Sequence, residues 1–164
     1  DALAAYESAH QITRGAPGSE ATAMIFGEYF PNPGGKPLTD AARAVMSPFG
    51  AFFAEVTGTA ILLFVICGVT DERNPSRPGL LTAATIGLTV TLLISLLGPL
   101  TMACFNPARD LGPRIFSSLA GWGTVPFSTN GTGWITVYIL APLRGALLGA
   151  GLYHKILRPL HPAA

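Results

Sequence analysis

The sequence predicts an all-α membrane protein with three transmembrane helices and one re-entrant half-helix. Three observations lead there. Charged residues make up 12 % of the 164-residue chain, against about 25 % in ordinary globular domains. Three apolar runs approach or exceed the roughly 20 residues that a helix needs to cross ~30 Å of hydrocarbon. Between the last two of them sits the chain's most polar decapeptide, FNPARDLGPR at 105–114.

The elements follow in order. Residues 1–48 read as a Gly/Pro-rich leader, in which APGSE and YFPNPGGKP signal turns rather than helix or strand. The first span covers about 49–71, and its stretch AFFAEVTGTAILLFVICGVT holds one charge, Glu55. The polar turn DERNPSRP at 71–78 leads to a second span at about 79–98, in an apolar run that extends uncharged to 105. The third span covers about 134–157 and holds one charge, Arg144, near its middle; residues 159–164 form a tail. Buried helices of a soluble core are the alternative, but the rest of the chain is too short and too little amphipathic to wrap three such segments. Arg73 and Arg77 in the turn and Lys155 and Arg158 after the third span place those two segments on one, cytoplasmic side. The leader and the 106–133 connection then face outside.

The decapeptide has a physical reading. Asn106 is a strong N-cap and Pro107 suits the first helical position. The helix that follows, about 106–118, is halted by Gly121 and Gly123 and is half a membrane span long. Irregular backbone at membrane depth is tolerated where it lines a wet cavity or is buried in protein. A half-helix there aims its positive N-terminal end at the bilayer interior, and Arg109 adds a full charge one turn in. Such a field repels cations and protons while admitting neutral solutes.

Composition excludes other classes. A net charge of +1 with no Lys/Arg cluster gives nucleic acid nothing to bind. No nucleophile–base pair, phosphate loop or metal-ligand spacing points to an enzyme, a cofactor or a metal. Cys67 and Cys104 lie in apolar surroundings and read as buried free thiols. Residues 1–20 hold Glu7, Arg14 and Glu20 and no apolar block, so they do not read as a signal peptide.

NPARDLGPR resembles, nearly letter for letter, the second Asn-Pro-Ala signature of the major intrinsic protein family, the aquaporins and glycerol facilitators. The three spans resemble that family's fourth to sixth helices, and the leader, with FGEYFPNPGG near its end, resembles the external loop before them. The resemblance implies one half of an inverted-repeat channel fold, an aquaglyceroporin-like C-terminal half at 49–158. No second Asn-Pro-Ala is present; FPNPGG follows Asn32-Pro33 with Gly. A chain that opens on Asp1 therefore reads as a fragment or processed product whose N-terminal half is missing.

The resemblance also implies residue roles. Asn106 donates to a passing solute, while Pro107 and Ala108 pack against the partner motif of the missing half. Arg109, Ile94 and Ala103 form the selectivity constriction, and the carbonyls of Met102, Ala103 and Cys104 form an acceptor ladder. Glu55 braces the re-entrant loop. Asp110, Arg114, Pro142 and Leu143 are solute-class positions of the glycerol-passing type, and Ile94 replaces the His usual in water-only members. Ala103 departs from the aromatic common in glycerol facilitators, which implies a roomier filter. The expected function is passive passage of water and small neutral solutes such as glycerol. The expected partners are the lipid bilayer of the plasma membrane, the other half and three further copies in a homotetramer, with the C-terminus cytoplasmic. Two alternatives stay open: a non-conducting or truncated member of the same family, and a half-repeat of a secondary transporter, for which only Glu55 and Arg144 offer charge within the spans.

Overall fold

The computed structural model describes residues 2–161; Asp1 of the leader and residues 162–164 of the expected tail lie outside them. The described residues hold helices and turns and no strand. Three helices have the length and composition to cross a membrane: Pro48–Thr70, Gly79–Thr101 and Gly133–Leu160.

The first spanning helix starts where Ser47 accepts a hydrogen bond from the Gly50 N–H at 3.0 Å, with Pro48 at the first helical position. It ends at Asp71, whose N–H still bonds the Cys67 carbonyl. The second helix carries several hydroxyls in its apolar run. They do not go unsatisfied: Thr85, Thr89, Thr91 and Ser95 each donate to the carbonyl four residues back. This helix continues three residues past the expected end at 98. Pro99 falls in its last turn, and the helix closes at Met102, which turns left-handed while its N–H bonds Gly98 O.

The third helix packs against the first through two of its glycines, Gly145 and Gly149. A Cβ on Gly149 would lie 2.0 Å from the Ala60 carbonyl oxygen, and one on Gly145 would lie 2.5 Å from that of Val56. Gly at both positions lets the two backbones touch, as in small-xxx-small helix pairs. Arg144, beside them, is exposed and stacks 5.5 Å over the Phe52 ring.

The polar segments gather at two opposite ends. At one, Asp71 of the turn takes an ion pair from Arg158 at 3.2 Å and a hydrogen bond from Tyr153 at 3.0 Å. The turn and the end of the third helix thus share a side. At the other end, the leader folds over the connection that follows the half-helix. It is not all turn: Ala2–Ala9, Glu20–Ala23 and Asp40–Val45 are short helices. Such lengths are marginal alone, and tertiary contacts hold them. The Trp122 indole donates to Thr22 at 3.1 Å. The Arg14 guanidinium lies 4.1 Å over the Trp122 ring and pairs with Glu7 at 2.9 Å.

Candidate pore site

The half-helix spans Pro107–Ser117. At 1.5 Å per residue its 11 residues reach roughly 16 Å, about half the hydrocarbon thickness. Asn106 caps it in extended conformation; its Oδ1 accepts from the Ala108 and Arg109 N–H groups at 3.0 and 3.4 Å. That leaves the Asn106 Nδ2 as a donor. The helix runs into a π-helical turn at Ser118–Trp122 and stops at Gly121, where φ is +110°.

The chain enters this helix through an unusual turn. Met102, Ala103 and Phe105 all have left-handed φ, at +62°, +55° and +54°. For non-glycine residues this conformation costs on the order of 1 kcal/mol or more each. Glu55 offsets the cost. Its carboxylate accepts from the N–H groups of Cys104 at 2.9 Å and Phe105 at 2.8 Å, and from the Thr101 hydroxyl at 2.6 Å. It is fully buried, so it does not reach the interface. The left-handed turn presents consecutive N–H groups to one acceptor, as in an anion-binding nest. Ala103 turns its carbonyl to Arg109, which donates to it at 3.4 Å. The Met102 side chain faces the leader, its sulfur accepting from the Tyr29 N–H.

A cavity of about 440 Å³ lies between the three spans and this turn. Thr59, Leu62, Leu63 and Ile66 line it from the first helix, Val90 and Ile94 from the second, Pro142, Leu143 and Ala146 from the third. Residues 103–107 and Arg109 complete the wall. The lining is mostly apolar, and Asn106 and Arg109 are its strongest donors. Ile94, Ala103, Cys104, Asn106, Pro107, Arg109, Pro142 and Leu143 are thus brought together, although they come from four elements.

Asp110 and Arg114 are not brought to the cavity. Both are 1 % exposed, one helical turn apart. Arg114 donates to Asp110 through Nε and Nη2, each at 2.8 Å, and to the carbonyls of Pro126 and Glu28. Asp110 accepts in turn from the Glu28 N–H at 2.7 Å. The pair clamps the leader to the half-helix. Ala108 is exposed, with no partner motif against it among the described residues.

The sequence reading missed Glu28. Its carboxylate, 7 % exposed, sits 2.6 Å from Arg109 Nη1. Burial raises its pKa from the ordinary 4.5 to about 7, the Arg109 charge opposing that rise and Asp110 and Glu55 adding to it. The one signal was a carboxylate set in an aromatic stretch, between Phe26 and Tyr29; its partner lies 81 positions away (28 to 109).

Residues 12–153 match the sequence model of the major intrinsic protein family. The chain belongs to that family. The members of that family are membrane channels, not enzymes. It is 40 % identical over 161 residues to the glycerol uptake facilitator protein of Pseudomonas aeruginosa, which takes in 97 % of this chain and 53 % of the relative. It is 38 % identical over 154 residues to a propanediol uptake facilitator of Citrobacter freundii, covering 93 % and 52 %. The X-ray structure of the aquaglyceroporin from Plasmodium falciparum matches the fold with a TM-score of 0.71 at 27 % identity, over 87 % of this chain and 53 % of that one. The chain spans about half the length of the curated relatives it matches.

Proposed function

We propose that this chain forms the C-terminal half of a passive channel for water and glycerol-sized neutral solutes, one that excludes ions and protons. The observation that carries this reading is the apolar cavity with two donors at the N-terminus of a half-helix. Asn106 Nδ2 and Arg109 replace part of a solute's hydration, and the carbonyls of Met102, Ala103 and Cys104 offer acceptors in series. Ile94 and Ala103 add no donor and little bulk, which suits a solute with carbon as well as hydroxyl. The helix dipole and Arg109 oppose cation entry from the same point. The relatives named for glycerol and propanediol uptake support this solute class.

The cavity wall is incomplete in one chain, since Asn106, Ala108 and Arg109 remain exposed. In our reading the other half-repeat and its own half-helix close it, and four such subunits assemble in the plasma membrane. Lipid and those neighbours cover the large apolar side chains left exposed on the helices, such as Leu88, Leu92 and Leu147. The end that carries Asp71 and Arg158 then faces the cytoplasm.

The test uses the full-length protein in proteoliposomes. Stopped-flow light scattering should show rapid water efflux followed by reswelling in glycerol, with no proton leak. Arg109→Ala should raise proton or cation leak by at least about tenfold, the effect of ~1.4 kcal/mol on a barrier. Vesicles that shrink but never reswell in glycerol or urea would overturn the solute assignment.

A further inference from the structure

We infer that Glu28 is a specificity-determining positioning residue: it holds the Arg109 guanidinium against the leader side of the cavity, and protonation of its carboxylate releases that guanidinium. The inference rests on the channel reading above and names a control that this reading does not contain.

The geometry carries it. Arg109 has two anchors, the Ala103 carbonyl at 3.4 Å and the Glu28 carboxylate at 2.6 Å. The second is the shorter and the only charged one. The arginine side chain is 49 % exposed and lines the cavity, whereas the glutamate is 7 % exposed. The glutamate is the buried anchor, and the guanidinium that it holds stands on the cavity wall. The Glu28 backbone is held on both sides of its Cα, its N–H by Asp110 and its carbonyl by Arg114. Its second carboxylate oxygen, Oε2, is buried without a hydrogen-bond partner, an arrangement that suits a carboxyl able to take up a proton.

The charged groups around it are Arg109, Asp110 and Arg114 from the half-helix and Glu55 from the first spanning helix; the titratable Cys104 of the turn and Tyr138 of the third helix also lie within its electrostatic reach, and Tyr29 follows it in the chain. Burial, with Asp110 and Glu55, lifts the carboxyl to about 7 against the pull of the two arginines. Below that pH the neutral carboxyl binds the guanidinium less tightly, because a charge-assisted bond is roughly twice as strong as a neutral one. The freed side chain then occupies cavity space and donates to passing solutes. A three-carbon polyol is slowed more than water.

The experiment measures glycerol and water permeability of the full-length protein in proteoliposomes, from about pH 5.5 to about 8.5, a range that brackets the carboxyl's titration. The glycerol-to-water ratio of the wild type should fall by about threefold on acidification, with a midpoint near 7. Glu28→Gln should hold the acid value at every pH, Glu28→Asp should restore a pH dependence, and Glu72→Gln at the opposite end should match the wild type. A flat ratio in conducting wild-type vesicles, or a Glu28→Gln profile identical to the wild type, overturns this inference alone. Vesicles that pass neither solute at any pH overturn the channel reading and this inference with it.

Discussion

Glu55 holds the turn that leads into the half-helix, because three donors converge on it. Two of them are backbone N–H groups of a turn that otherwise has little reason to stay left-handed. Glu55→Ala should orphan both N–H groups at a cost of about 1–3 kcal/mol each, read as a drop in the thermal unfolding midpoint in detergent. Glu55→Gln should cost less, since one amide oxygen still accepts. A lone charge in an apolar span demands a partner, and the family likeness named the re-entrant loop as that partner. Glu28 was not legible in the sequence, since nothing local marks its pairing with Arg109. The family likeness marked Asp110 and Arg114 only as solute-class positions. Their placement as a buried clamp, away from the cavity, follows from folding the leader back onto the half-helix, a long-range packing event that carries no periodic signal.

The three spans were legible because hydropathy over some 20 residues needs no tertiary information. The half-helix was legible from Asn106-Pro107 at its start and Gly121 after its end. The short leader helices were not, because their few residues are set by what they pack against. The tightest helix contact, first against third, rests on two absent side chains. Gly149→Ala would place a methyl 2.0 Å from a backbone carbonyl that has no rotamer with which to yield. The helices must then separate, at a cost of about 1–3 kcal/mol or more. Gly151→Ala, with nothing within 4 Å of its added Cβ, should be neutral or slightly stabilising on helix propensity. Differential scanning fluorimetry of both variants separates close packing from propensity.

As a whole the molecule is a bundle with a fitted cover. Arg14 on Trp122, Asn32 on Gly98, Glu28 on Asp110 and Asn130 on Phe30 fasten the leader across one end. Arg114 is the central fastening, reaching the leader and the 125–128 turn at once. Arg114→Leu should leave Asp110 charged and buried, at a cost of about 3–5 kcal/mol, and should loosen the cover before the spans. Limited trypsin digestion in detergent, followed at the Arg14–Gly15 bond, should run at least about tenfold faster than in the wild type. An unchanged rate would mean that the remaining contacts hold the cover without the clamp.

The Asn130 side chain holds the Phe30 backbone from both sides, donating to its carbonyl at 2.6 Å and accepting from its N–H at 3.3 Å. Asn130-Gly131-Thr132 is a sequon for attached sugar, yet its acceptor nitrogen is already in use. The order of synthesis sharpens this picture. Glu55 leaves the ribosome about 50 residues before Phe105, or roughly 3–10 s earlier at 5–20 residues per second. For those seconds the newborn first spanning helix carries an acid whose own donors have not yet been made.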